Sequence, residues 1–512
     1  MIEEGLNSCS SEFRTVDSKV TEDDLAPWKS EILSRVDRKI TSLRRSVKYH
    51  KIQPVLKRPE VTEYLRNLHD NFVLVPIDKA SNNIAVICKK YYVEIILKEI
   101  GHIGTRSNTY EIVDKSKGEI VEENVEYARR CGFKLVDAEK ELPIMYWTPK
   151  MHKTPSAPRF IIASKSCSTK QISKAVSSTF KLIFRQVQNF HTKAKFLKNY
   201  NKFWIIQNTD PILEIMNRIN KRKGAKSIAT YDFSTLYTKL SHDKLIYELH
   251  KLIDFVFDAG DRNYIKLDTR GKAFWGKKSK NSVGYTRHGL KVAVKFLIEN
   301  CFFTVGNIIV RQAIGIPMGI DPAPFWANLF LYVYETKYVT DLIGEDKAKA
   351  RRFHSIKRFI DDLCTLNDGG IFGQVFQEIY PDKLELKLES SGMEASFLCL
   401  HIAIENGIFV YKLYDKRDGF PFSIVRMPYA SSNIPESIFY SAMVGEILRV
   451  AHSTLRYEDF LPKATELINR LNNQGAKRNL SRRNFLKLFN RHSEEFRKYN
   501  RTSDQIISDM NL

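Results

Sequence analysis

The 512-residue chain has few cysteines, no long apolar run and no internal repeat. Its seven cysteines, at 9, 88, 131, 167, 301, 364 and 399, are odd in number and never form a Cys-x-x-Cys pair. That argues against a disulfide framework or a thiolate zinc ribbon and points to reduced thiols in an intracellular compartment. His152, His354 and His401 are equally scattered, so no zinc site is expected. The most apolar stretches, near 292–305 and 323–334, are too short or too interrupted to cross a bilayer. The opening Met1-Ile-Glu-Glu-Gly lacks a basic stretch feeding an apolar one, so no signal peptide is expected. Negative charge is also in deficit: 59 acidic against 81 basic residues leave a formal charge of +22. Such an excess favours polyanionic partners, most often nucleic acid, over a membrane surface. With 43% hydrophobic and 12% aromatic residues the chain can bury large cores, and its length implies roughly two to four subdomains.

What is present is organised around two carboxylate sites. Asp232 ends an apolar run in Ser227-Ile-Ala-Thr-Tyr-Asp-Phe-Ser-Thr-Leu-Tyr, which reads as a strand running its acidic end into a turn before a helix. Asp361 and Asp362 sit in Arg358-Phe-Ile-Asp-Asp-Leu-Cys-Thr-Leu, which reads as two short strands joined at adjacent aspartates. Hard divalent cations take oxygen ligands, and carboxylates supply ligand and neutralising charge together. Two such cations can align the attacking and leaving oxygens of a phosphoryl transfer. Each site alone is also an ordinary strand end or turn. The ordered pair, flanking the turn Ile314-Gly-Ile-Pro-Met-Gly, points to an enzyme that joins nucleotides.

Around these sites the pattern is mixed α/β. Helical spacing covers 28–49, and two strands, Phe72-Val-Leu-Val-Pro and Ile84-Ala-Val-Ile-Cys, flank a turn at 78–83. Prolines 143, 149, 155 and 158 keep 143–164 extended, and an amphipathic helix follows over 170–190. Ser241 caps a helix carrying Leu245, Leu249, Leu252 and Val256. Residues 259–288, rich in Gly, Lys and Arg, read as an insertion loop. Strands are expected over 384–389, 397–404 and 408–414, the last two joined by the hairpin pair Asn406-Gly407. From Ser437 the chain reads as all helix.

The ordered segments resemble reverse transcriptases, specifically those of Penelope-like retroelements, which are related to telomerase reverse transcriptase. Tyr231-Asp-Phe-Ser-Thr-Leu-Tyr resembles that family's motif A, Gly315-Ile-Pro-Met-Gly its motif B and Arg358-Phe-Ile-Asp-Asp-Leu its motif C. Phe72-Val-Leu-Val-Pro-Ile-Asp-Lys-Ala resembles its Asp-Lys-Gly region, with Ala80 where the motif has glycine. Tyr146-Trp-Thr-Pro-Lys-Met-His-Lys and Arg159-Phe-Ile-Ile-Ala-Ser resemble its fingers motifs, and Tyr414-Asp-Lys-Arg-Asp the approach to the thumb.

The resemblance implies an α/β right-hand polymerase. It would have an N-terminal helical extension (1–65), fingers (66–226), a palm (227–428) and a helical thumb (429–512). It implies RNA-directed DNA synthesis from a DNA primer and dNTPs on an RNA template, in the nucleus. Two Mg²⁺ ions, or Mn²⁺ in their place, would be held by Asp232, the Phe233 carbonyl and Asp361. Asp362 is the weaker ligand, since neighbours on a strand point to opposite faces. Lys150, Lys153 and Arg159 would hold the triphosphate, Tyr237 would exclude a ribose 2′-hydroxyl, and Gly315 and Gly319 would let backbone approach the nucleotide. Lys387 would donate a proton to pyrophosphate. Arg478, Arg482, Arg483, Lys487 and Arg491 would grip duplex backbone. Asp321 departs from the motif and adds negative charge beside the expected nucleotide pocket. No Gly-Ile-Tyr and Tyr-Ile-Gly pair marks a GIY-YIG endonuclease, so that activity is expected to be missing or separate. Two alternatives stand open: an RNA-dependent RNA polymerase, opposed by Tyr237, and a domesticated, inactive nucleic-acid-binding protein, opposed by Asp232 and Asp361 and favoured mildly by Asp321.

Overall fold

A computed structural model of the chain describes residues 22–46, 59–133, 139–193, 200–259, 262–279, 282–381 and 384–512. These fall into two compact units, Met1–Asp70 and Asn71–Leu512. The described part of the first is helical: Glu22–Ser46 and all but the last residue of Pro59–Asn71.

The second unit begins with a two-stranded ribbon, β1 (Phe72–Ile77) and β2 (Ala80–Cys88), turning at Lys79, whose φ is +63°. The next three strands are β3 (Tyr110–Ile112), β4 (Ile144–Lys150) and β5 (Ala157–Ala163). The helix Lys170–Lys193 follows, close to the expected span. Then come β6 (Ile228–Phe233) and the helix His242–Asp258, which buries Leu245, Leu249, Leu252 and Val256 on one side.

The segment expected as an insertion loop is instead a small sheet. It contains β7 (Tyr264–Leu267), β8 (Ala273–Trp275) and β9 (Gly284–Thr286), in the order β8-β7-β9. Its many glycines and lysines hid the short apolar signal, but Tyr264, Ile265, Leu267, Ala273 and Tyr285 are buried. That is enough apolar surface to fix a sheet against the helices beside it.

Strands β10 (Phe302–Val305) and β11 (Ile308–Gln312) complete a five-stranded sheet, β3-β11-β10-β4-β5. The helix Ala323–Glu345 buries residues on every side, Trp326, Phe330, Leu331 and Val339 among them, as expected of a helix inside a large core. After it come β12 (Lys357–Phe359), β13 (Asp362–Leu366) and β14 (Leu386–Gly392), which with β6 form the sheet β12-β13-β6-β14. β6 is buried almost throughout because strands flank it on both edges and one face covers the main core, where Tyr231 meets Phe372 and Phe233 meets Tyr380 edge to face.

The strand expected over 397–404 is two strands, β15 (Glu394–Phe397) and β16 (Leu400–Glu405), divided at Leu398, whose φ is +54°. β17 (Ile408–Leu413) pairs with β16 across Asn406-Gly407, both at positive φ as this hairpin turn requires. Five helices from Glu436 to Asp509 then close a separate core around Phe439, Met443, Phe460, Leu467, Phe485 and Phe496.

Candidate active site

The β12-β13-β6-β14 sheet brings the acidic residues to one end. In the ladder Asp362 lies directly opposite Asp232, and on the other edge of β6 Lys387 also lies opposite Asp232. Directly opposed residues of an antiparallel pair share a face. Asp362 therefore shares a sheet face with Asp232 and lies beside it in the ladder. Asp361 escapes strand alternation because it belongs to the turn: Ile360 has φ +56°, and the Asp361 carbonyl accepts a hydrogen bond of 3.1 Å from the Phe233 amide. The turn thus carries Asp361 alongside β6, within electrostatic reach of both other aspartates.

The three carboxylates disturb one another. Burial, then Asp361 and Glu389, push Asp232 up; burial raises Asp361. Burial and Asp361 push Asp362 up to about 6. Glu389 was not foreseen: it sits at the register shift in β14 between Leu388 and Ser390, where a bulge re-aims a side chain.

The turn is braced from below by Arg358, which is fully buried with Glu335. Its guanidinium donates to Glu335 at 2.5 and 3.1 Å, to Asn328 at 2.9 and 3.0 Å, and to the Ile360 carbonyl at 2.8 Å. All five N–H donors are used.

Opposite in charge is a cationic group from the β1–β2 turn and from β4 and β5. Arg159 donates to the buried Asp78 at 2.8 Å, and Lys79 Nζ lies 3.4 Å from His152 Nε2. Burial and then Lys153 lower Lys150; burial and then Lys416 lower Lys79; burial and then Lys79 lower His152. Asp78 is the anion among these cations and raises all three groups against burial and mutual repulsion. Sequence reasoning placed Lys150, Lys153 and Arg159 here but missed Lys79, His152 and Lys416. The positive-φ turn after Asp78 was the available signal for Lys79.

Lys416 is the link between the two groups, since its field reaches Asp232, Asp361, Asp362 and Lys79. The residues around it are pinned. Asp415 accepts from Arg417 at 2.7 and 2.9 Å and from Arg449 at 3.1 Å. Burial pushes that carboxyl up, but these hydrogen bonds outweigh it and hold it well below the ordinary range. Val425, further along, donates to Asn83 at 2.8 Å.

Gly315 and Gly319 have φ of +93° and +82°, and a Cβ would run into the Tyr237 carbonyl oxygen at the first and the Ile162 carbonyl oxygen at the second. Tyr237 is half-buried beside this turn, and burial, then Asp361, push its hydroxyl up. Asp321, expected to add negative charge beside the nucleotide pocket, is paired. Its carboxylate takes Lys170 at 2.9 Å and Ser173 at 2.8 Å, so a lysine neutralises it on the helix Lys170–Lys193.

On the helix Arg478–Arg491, Phe485 and Leu488 are buried and Arg478, Arg482, Arg483, Lys487 and Arg491 are exposed. Arg482 lies 3.8 Å from Asp504, which leaves Arg478, Arg483, Lys487 and Arg491 as the exposed cations of this helix outside that pair.

Among the described residues no three His, Cys, Asp or Glu side chains already form a metal cage. The donor set still fits a magnesium-type ion, which binds through one or two carboxylates and completes its shell with water and substrate phosphate oxygens. Among the described residues no helix is long and apolar enough to cross a membrane.

No family model and no curated protein matches the chain. Solved structures do. Telomerase from Candida albicans, in complex with a TWJ fragment of telomeric RNA, matches with a TM-score of 0.57 at 9% identity, over 87% of this chain and 71% of that one. Apo telomerase from Candida tropicalis matches with a TM-score of 0.47 at 10% identity, over 91% and 78%. The first of these likenesses is one of fold: the chain has the right-hand polymerase architecture found in telomerase.

Proposed function

We propose that this protein is an RNA-directed DNA polymerase of the Penelope-like retroelement kind, extending a DNA primer on an RNA template in the nucleus. The observation that carries the reading is the register itself. Asp232, Asp362 and the turn residue Asp361 meet at one sheet end, within the fields of Lys416, Lys153 and Arg159.

In this reading the primer 3′-hydroxyl attacks the α-phosphate of a dNTP. The new P–O bond forms as the bond to the pyrophosphate oxygen breaks, and pyrophosphate leaves. Asp232, Asp361 and Asp362, with the Phe233 carbonyl, would hold two Mg²⁺ ions, whose chemistry is neutralisation and in-line alignment of the oxygens. The fingers cations hold the triphosphate in place. Lys387, across the ladder from Asp232, would give a proton to the leaving pyrophosphate. Tyr237, close to Asp361, would fill the space of a ribose 2′-hydroxyl. The salt bridge to Lys170 supports reading Asp321 as a structural carboxylate rather than a mark of inactivity. Catalysis of this kind rests on positioning and charge neutralisation.

Primer extension by purified protein on an oligo(dT)-primed poly(rA) template tests the reading. Incorporation of dTTP that requires Mg²⁺ or Mn²⁺ supports it. Equal use of UTP favours an RNA polymerase, and no incorporation with intact hybrid binding favours an inactive nucleic-acid-binding protein.

A further inference from the structure

A second cationic site lies outside the carboxylate centre. Between the helix Lys170–Lys193 and the β8-β7-β9 sheet runs an open groove of about 920 Å³. Lys174, Lys266 and Arg270 line it, and among the described residues none of the three makes an ion pair. Two carboxylates also line the groove, but both are engaged elsewhere. Asp268 accepts from the Arg270 and Lys272 amides at 3.0 and 2.7 Å, closing the β7–β8 turn. Asp321 is held by Lys170 and Ser173. Amide bonds do not cancel the Asp268 charge, so with Asp321 paired to Lys170 the groove sets three cations against one carboxylate and stays net positive. It also presents rings: Phe274 is 40% exposed on its wall, and Phe133 is half-buried beside it.

Unpaired cations beside exposed aromatic rings are how proteins hold single-stranded nucleic acid, the cations tracking phosphates and the rings stacking on bases. A small-molecule pocket would be more enclosed and more apolar. Duplex hides its base faces and would leave Phe274 without a partner. Through Asp321 the groove adjoins the turn that carries Gly315 and Gly319. We infer that the groove between the helix Lys170–Lys193 and the three-stranded insertion sheet binds unpaired template strand, through phosphate contacts from Lys174, Lys266 and Arg270 and base stacking on Phe274. That the strand is a template rests on the polymerase reading; that the groove binds single strand does not.

The test is fluorescence anisotropy with the full chain and two RNA–DNA hybrids, one blunt and one with a 5′ RNA overhang of roughly ten nucleotides. Wild type is expected to bind the overhang hybrid about tenfold more tightly. The combined variant Lys174→Ala, Lys266→Ala, Arg270→Ala should lose that increment while keeping blunt-hybrid affinity. Its salt slope on the overhang hybrid should flatten by about 2, for three single-strand phosphate contacts. Phe274→Ala alone should cost about tenfold on the overhang hybrid only. The charge-retaining variant Lys174→Arg, Lys266→Arg, Arg270→Lys should bind as wild type does, separating charge from folding. Equal loss on both hybrids, or none on either, overturns the inference. Overhang-dependent binding in a protein that extends no primer would leave the groove standing and sink the polymerase reading instead.

Discussion

Arg358→Met would remove the brace beneath the aspartate turn. Arg358 and Glu335 are both fully buried and form a two-bond pair at 2.5 and 3.1 Å. Tyr380 adds a third bond to Glu335 at 2.9 Å. Methionine fills much of the arginine volume but leaves the Glu335 carboxylate buried without its cation. Breaking a buried pair from one side costs about 3–5 kcal/mol. The loss should be concentrated at β12 and β13, because Arg358 also holds the Ile360 carbonyl, where φ is +56°. Hydrogen exchange resolved over residues 357–366 reads this directly: protection there should fall by about a hundredfold or more, at roughly 1.4 kcal/mol per factor of ten. Protection in the C-terminal helices, which have their own core, should hardly change. Adding Glu335→Leu removes the stranded charge and should restore most of the lost protection. A fall of less than about fivefold in Arg358→Met, or no rescue by the second change, would refute the claim that a satisfied buried ion pair sets the turn.

Other predictions follow from the same geometry. Tyr237→Ala should raise ribonucleotide incorporation about tenfold or more relative to deoxynucleotide, since packing a hydroxyl against a rigid ring costs roughly 1–3 kcal/mol; single-nucleotide addition with each sugar measures this, and an unchanged ratio means the ring is only core. Neutralising Arg483, Lys487 and Arg491 together should flatten the salt dependence of hybrid binding by about 2 to 3 and shorten products more than it slows the first addition; an unaltered slope would mean this helix does not touch backbone. Burial and Arg218 pull Lys357 from the ordinary 10.5 down to about 8. Its protonated form is thus disfavoured in the folded state, and stability should rise with pH between those values. Urea midpoints from pH about 7.5 to 9.5 should show a gain on the order of 1–2 kcal/mol that Lys357→Met largely abolishes, and an equal gain in the variant would place its origin elsewhere.

How much of this could be read in the sequence depended on whether the signal was local. The apolar run of β6 and the adjacent aspartates at 361 and 362 announce strands and a turn. The Asn406-Gly407 pair sets a hairpin by its own backbone preference. Glycines 315 and 319 mark a turn, and the contacts that exclude a Cβ give the reason. What could not be read was set by pairing between distant strands. The opposition of Asp362 to Asp232 is a register property, which alternation along one strand does not reveal. Asp321 looked like a stray charge until the helix Lys170–Lys193 supplied Lys170 from 151 residues away. Lys416 stands in an exposed turn after β17, and only the folded chain brings it toward three aspartates and Lys79. The insertion sheet escaped notice because three strands of three or four residues, set among glycines and lysines, carry too little periodicity to register.

The central claim is that Asp232 and Asp361 form the catalytic centre of a DNA-synthesising enzyme. The most direct measurement is primer extension on an RNA template by wild type, Asp232→Asn and Asp361→Asn, with hybrid affinity measured on the same preparations. Each change removes a carboxylate charge and almost no volume. Wild type should extend the primer in Mg²⁺, and each variant should fall by at least about a thousandfold, roughly 4 kcal/mol of barrier, with affinity near that of wild type. Extension by either variant within about tenfold of wild type would contradict the account.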